Sequence, residues 1–358
     1  LPVEETEAMN VLRLSLILLL GLSVLPALSQ PGGKAFQFLE VTNSARVAAL
    51  GGEVVAATDS DPDLPYHNPS LLDTTLHHHA ALNFVNYFAG INYGFASVAT
   101  RMGKGTFAGG IHYLNYGNFD AADETGQITG SFHAADYAVN LTWARPVDSL
   151  FSAGITVKSI YSNLESYRST AIAVDAGISY FNPRTRFGAG LVMRNAGWQI
   201  REYYPDGAHE PLPFHLALGI SQELKYAPLT FFVTADHLER WDLRYTTEAD
   251  LEKEENDFSD ASASEGDFDI FFDQFMRHMI IATEIRLGKS LTFRVGYNYR
   301  RRQELKVSTR PGMVGFTWGV GLRVSKFRIS YGRPAYHLAG GGNYFSFSMN
   351  LDEFSKKF

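Results

Sequence analysis

Residues 291–300 read LTFRVGYNYR, with an apolar or aromatic side chain at every second position: Leu291, Phe293, Val295, Tyr297 and Tyr299. Thr292, Arg294, Gly296, Asn298 and Arg300 fill the places between. Successive side chains of a β-strand point to opposite faces, so the stretch predicts a strand with one greasy face and one wet face.

The same alternation recurs along the chain. Residues 137–143 set Tyr137, Val139, Leu141 and Trp143 against Asp136, Ala138, Asn140 and Thr142. Residues 344–351 set Phe345, Phe347, Met349 and Leu351 against Tyr344, Ser346, Ser348 and Asn350. Candidate strands lie near 80–88, 91–101, 105–117, 131–145, 150–163, 168–181, 185–198, 212–224, 228–242, 277–287, 290–301, 312–325, 326–333 and 342–351. Their connectors sort into a short set (MGKG, RPVDS, NPRT, KYAP, LGKS, SK) and a mostly long set. Short turns at one end and long loops at the other are the asymmetry of transmembrane barrels, whose strand number is even. The fold expected is all-β, a 14-stranded antiparallel transmembrane β-barrel with an N-terminal hatch. Ten residues at about 3.4 Å, tilted near 40°, cover roughly 25 Å, the height of the apolar band on such a barrel. Aromatic faces then meet lipid, and Asp136, Asp175, Glu284, Arg286 and Arg294 face a hydrated lumen. Closure is required, because an open edge in hydrocarbon leaves unpaired amides costing several kcal/mol each.

Bulk composition narrows the chemistry, and the N-terminus sets the compartment. The 358 residues carry a net charge of -7, which disfavours general nucleic-acid binding, and no cysteine, which removes disulfides and thiolate chemistry. Arg13 followed by LSLILLLGLSVLPALSQ reads as a signal peptide over 1–29, with Met9 as the start. Residues 30–79 alternate poorly and form the periplasmic or hatch segment. Residues 80–358 form the barrel, with an acidic extracellular loop at 243–276.

Within that poorly alternating segment, Ala45-Arg46, Gly51-Gly52 and Asn68-Pro69-Ser70-Leu71-Leu72 resemble the hatch of the FadL-like barrel superfamily, with Ser70 in place of the usual Ala. GGKAFQFLEVTNSARVAALGG (32–52), GYNYRRRQEL (296–305) and SYGRPAYHLAGGGNYFSFSMNL (330–351) are similar to the PorQ family of type IX secretion outer-membrane proteins. The resemblance spans nearly the whole mature chain. It implies a non-enzymatic structural subunit of the cell-surface attachment complex, without cofactor. The partners it implies are a PorZ-like surface protein, a PorU-like sortase and a PorV-like barrel, with cargo joined to anionic lipopolysaccharide. The alternative within the superfamily is passive transport of hydrophobic small molecules, which needs a continuous apolar path through the lumen.

Other candidate sites are weaker. DSDPD (59–63) has calcium-loop spacing, but Leu64 and Ser70 stand where an EF-hand needs Gly and Glu, so a solvated turn is expected. HHH (77–79) offers zinc or nickel ligands, but side chains alternate at a strand entrance, so at most His77 and His79 share a side and no metal is expected. The run from Glu248 to Asp273 is acidic throughout, with Lys253 its lone base; it reads as hydrated and inherits no role from the resemblance. Its end, with Phe268, Ile270, Phe271, Phe272 and Phe275, is too apolar for a free loop. A short helix packed on the rim is the first reading, and a partner-docking surface the second. Arg300, Arg301, Arg302, Lys306 and Arg310 lie on the long-loop side, either as a lipopolysaccharide contact or as ordinary interfacial charge.

Overall fold

The computed structural model describes residues 34–87, 90–204, 207, 209–244, 267–305, 312–335 and 341–355. The signal-peptide span 1–29, the acidic run up to residue 266, Lys306 and Arg310 lie outside the described residues.

Fourteen strands close into one antiparallel barrel in sequence order. They are β1 (His79–Asn86), β2 (Asn92–Met102), β3 (Gly105–Ala122), β4 (Ile128–Pro146), β5 (Phe151–Leu164), β6 (Tyr167–Asn182) and β7 (Phe187–Arg201). β8 (His215–Glu223), β9 (Leu229–Ala235), β10 (Met279–Leu287), β11 (Leu291–Asn298), β12 (Phe316–Val324), β13 (Phe327–Pro334) and β14 (Asn343–Asn350) complete it. The seam is sealed by β1 on β14, with His79 opposite Asn350 and Asn86 opposite Asn343. Every strand therefore has two partners, and no edge is left to hydrocarbon. No described helix is long and apolar enough to cross a membrane; the wall is the closed ring of strands.

The alternation has the expected sense. Leu141 is 59% exposed and its neighbour Asn140 is 5% exposed. Val139, Ile155, Leu191, Leu218, Ile281, Val295 and Phe345 share the outer face, where large apolar side chains have no protein neighbour to bury them. Aromatics gather at both ends of that band. Phe107 and Trp143, Phe151 and Tyr180, and Phe327 and Phe347 pair at the short-turn end. Tyr167 with Tyr204 and Tyr297 with Phe316 pair at the long-loop end. An apolar band between two aromatic girdles is the exterior of a barrel made for a bilayer.

Strand ends depart from expectation where side chains intervene. β3 and β4 run past the expected ends, so much of 117–130 is a projecting hairpin rather than a loop. β8 begins at His215 rather than 212, and β9 stops at Ala235, short of 242. β11 was expected to carry Tyr299 on the lipid face; it ends at Asn298, whose side chain accepts the Arg301 N–H at 3.0 Å and caps a helix over Tyr299–Leu305. That helix is α3. The others are α1 (Ala45–Ala49), α2 (Asp267–Arg277) and α4 (Asp352–Ser355).

The lumen holds the expected hatch, with charged side chains buried among it rather than facing open water. Residues 34–78 fold into it as α1 and a series of 3-10 turns, and bury Phe38, Leu39, Val47, Leu50, Val54, Leu64 and Leu76 against the wall and one another.

Candidate functional site

The hatch is held by a charged bolt. Ser44 accepts the Val47 N–H and starts α1, which places Arg46 in the middle of the lumen. Its guanidinium meets Asp59 at 2.8 Å, Asp61 at 3.0 Å and, on the β10 wall, Glu284 at 3.2 Å. Glu284 also receives Arg294 of β11 at 2.8 Å, and Asp61 receives Arg328 of β13 at 3.2 Å. Arg294 thus points inward, as its place in the alternation requires. Burial opposes a charge on Arg46, but Asp59, Glu284 and Asp61 outweigh it, and its pKa is raised well above the ordinary value. DSDPD is therefore not a solvated turn, since Asp59 and Asp61 close on Arg46 from within. Asp63 is the odd member. Burial and the neighbouring Asp61 push its carboxyl up to about 7, although Asn83 donates to it at 2.6 Å.

Asn68-Pro69 forms the second anchor. Asn68 Nδ2 donates to the Val55 carbonyl at 2.8 Å, and Oδ1 accepts from Ser70 N and Oγ at 3.1 and 2.7 Å. The departure from Ala at Ser70 thus adds a bond to the turn. Gly51 has φ +95°, and its carbonyl accepts from Asn298 of β11 at 3.1 Å. Gly52, at φ +100°, accepts from Thr42. The sequence-predicted hatch residues Ala45, Arg46, Gly51, Gly52, Asn68 and Pro69 are all in this plug. Sequence reading missed the wall glycines that receive it. A methyl group on Gly177 would collide with Asn68, one on Gly154 with Pro69 and one on Gly332 with Ala45; one on Gly296 would lie 2.6 Å from the Gly51 nitrogen. A glycine inside a strand marks such close backbone approach, and that was the available signal.

Above the plug, on the long-loop side, a cavity of about 400 Å³ is lined by Glu53, Arg194, His215, Asp236, His237 and Arg300, among others. Arg194 of β7 donates to Glu53 at 2.6 Å. Burial opposes ionisation of Glu53, but Arg194 and then His67 outweigh it and hold its pKa at about 2. Arg194 also donates to His215 Nδ1 from Nε and Nη2, at 3.1 and 2.8 Å. That engages the Nδ1 lone pair and leaves the proton on Nε2, aimed at Asp236 Oδ1 at 2.5 Å. His215, Asp236 and His237 lie close enough to surround a metal ion, but His215 has no lone pair to offer one. His77 and His78 converge on Asp352 at the other end, against the expected alternation, because His78 has φ +54°. There the Arg101 N–H occupies His77 Nδ1 at 3.0 Å, again leaving the proton on Nε2. Both clusters are polar fasteners.

The arginine cluster does not form one patch. Arg300 is buried in the vestibule beside Asp236 and Glu304; Arg301 pairs with Glu304; Arg302 donates to the Gly312 and Val314 carbonyls. Each of these three arginines, read in the sequence either as a lipopolysaccharide contact or as ordinary interfacial charge, has a partner within the chain. The helix at 268–275 is present as α2, but its apolar residues do not share one side. Ile270 turns to the barrel, whereas Phe268, Phe271, Phe272 and Phe275 are exposed, so packing of the Phe stripe on the rim is not what the structure has.

No protein-family model matches the chain, and no curated protein matches it in sequence. Solved structures match it in fold. A TodX monoaromatic hydrocarbon channel with the deltaS2 mutation superposes at TM-score 0.53 and 13% identity, covering 87% of this chain and 99% of that one. The TodX deltaS2S3 mutant channel gives 0.50 and 12%, over 86% and 99%. A Pseudomonas aeruginosa FadL homologue gives 0.44 and 10%, over 87% and 98%. At these identities the likeness is one of fold, a closed antiparallel β-barrel, and it rests on the two TodX channels.

Proposed function

We propose that this protein is an outer-membrane barrel that acts through its long-loop face, as a structural subunit of a type IX secretion attachment complex. The observation that supports a structural role is the closed lumen: a hatch tied to β7, β10 and β13 by the ion pairs Glu53–Arg194, Arg46–Glu284 and Asp61–Arg328. A molecule crossing would have to strip charges from their partners, which is costly in a low-dielectric interior. The apolar band and girdles support the membrane placement. The stretches similar to the PorQ family supply the partners, a PorZ-like surface protein, a PorU-like sortase and a PorV-like barrel. Crosslinking the full chain in intact cells and identifying captured proteins tests this. A sortase or large surface protein is expected, and capture of neither removes the attachment role.

A second reading is passive transport of hydrophobic small molecules. The fold comparison favours it over the first, because TodX is a monoaromatic hydrocarbon channel. Against it stands the cavity above the plug, where Glu53, Arg194, Asp236 and Arg300 interrupt the apolar lining of Val41, Ile280 and Leu305. Toluene uptake into vesicles carrying the purified barrel decides: a rate above that of empty vesicles would establish transport.

A further inference from the structure

Helix α2 is amphipathic in the reverse sense to a helix of a soluble protein. Phe268, Phe271, Phe272 and Phe275 fall at i, i+3, i+4 and i+7, within about a third of the helix circumference. This stripe faces away from the barrel, with Phe268 76% exposed and Phe272 52%. The polar side does the holding. Asp273 accepts from Arg277 at 2.7 Å and from the Tyr299 hydroxyl of α3 at 2.9 Å, and lies 3.5 Å from Arg244. Arg244 also donates to the Ile270 carbonyl at 3.3 Å. Salt bridges and a tyrosine thus fix the helix with its aromatic stripe outward, where water would be the worst neighbour.

The stripe is continuous with the lipid-facing surface. Phe271 lies against the ring of Trp241, with centroids 5.4 Å apart, and Trp241 is itself half exposed. α2 leads at once into β10, whose Ile281 is on the outer band. The same end of the barrel carries the Tyr297–Phe316 and Tyr167–Tyr204 pairs of the girdle. An amphipathic helix with a phenylalanine face beside an aromatic girdle has the chemistry of an interfacial helix, lying in the plane of the bilayer with its apolar face among the upper acyl segments.

We propose that α2 is such a helix: a lipid-binding surface that seats the β9–β10 side of the rim in the outer leaflet. This rests on the outer-membrane placement above. It predicts that the Phe stripe touches acyl chains, neither water nor protein.

The chain has no cysteine, so Phe272→Cys and Phe268→Cys each create a unique thiol for a nitroxide label at an exposed position. The labelled full chain is reconstituted into vesicles of phosphatidylethanolamine and phosphatidylglycerol, and collision with oxygen and with a water-soluble nickel chelate is measured by power saturation. The expected result is severalfold greater access for oxygen than for nickel at both positions. Greater nickel access places the helix in water and overturns the proposal. Low access to both reagents shows a protein cover, from this chain or a partner, and overturns it equally. A label at Leu141→Cys, in the middle of the band, separates the two levels. If that site is also nickel-accessible, the membrane placement itself has failed.

Discussion

At the scale of single residues, the interior is a set of charge balances that differ widely in weight. Removing Arg46 as Arg46→Ala leaves Asp59, Asp61 and Glu284 with only Arg294 and Arg328 to offset them, and breaking a buried ion pair costs roughly 3–5 kcal/mol. A drop of that order in urea-unfolding stability in detergent is expected. Arg186→Ala, which breaks the part-exposed pair with Glu223, should cost no more than about 1 kcal/mol. Asp63 gives a pH-dependent case. Its folded pKa of about 7 lies above the ordinary aspartate value, so the folded chain holds a proton that the unfolded chain releases. Its favourable contribution is complete below about pH 4 and is lost as pH rises to 7, by up to roughly 4 kcal/mol. Asp63→Asn keeps an acceptor for Asn83 and cannot ionise. The variant should therefore gain stability over the parent between pH 4 and 7, with the difference level above. Parallel curves across that range would show that Asp63 is ionised throughout.

At the scale of elements, the period of the strand decides what is tolerated. Leu141→Arg puts a guanidinium on the band and should cost about 2–4 kcal/mol when unfolding is followed in vesicles. Lys158, on neighbouring β5, is 1% exposed yet stable, because it faces inward and meets Asp175 at 2.7 Å. This inward–outward sorting was legible in the sequence, because alternation is written locally, residue by residue. All fourteen strands were, and so was the hatch around Arg46 and Asn68. What escaped depends on partners distant in the chain. That DSDPD closes on Arg46 requires knowing where Glu284 and Arg328 lie. That Phe268 and Phe272 face out requires knowing that Asp273 meets Tyr299, and β11 ends early because the Asn298 side chain competes for the backbone. The wall glycines were visible but looked like ordinary wet-face positions until the plug arrived against them. Gly177→Val should expel Asn68 from its seat while the barrel stays closed. Limited proteolysis would then cut within residues 34–78 in the variant and spare the parent.

At the scale of the whole molecule, closure of the wall and closure of the lumen are separate facts with separate consequences. The wall is sealed by hydrogen bonds between every pair of neighbouring strands, which a bilayer enforces because unpaired amides have no water to turn to. The lumen is sealed by side chains, and those bonds are exchangeable. Fourteen strands enclose a bore close to that of porins, so an empty barrel of this size would admit water and ions. Here Arg46, Glu284 and Arg294 occupy the middle of the bore, and Glu53 and Arg194 cap it below the vestibule. The intact chain in a planar bilayer is therefore expected to pass no steady ionic current. Arg46→Ala combined with Arg194→Ala removes both bolts while leaving the strand ladder untouched, and should produce intermittent openings as residues 34–78 come loose. Steady porin-like current from the parent would show that the plug is not the resting state, and would move the balance from the anchoring role toward transport. A silent double variant that still resists protease would instead show that the apolar packing of Leu39, Leu50 and Leu64 holds the hatch without its charges.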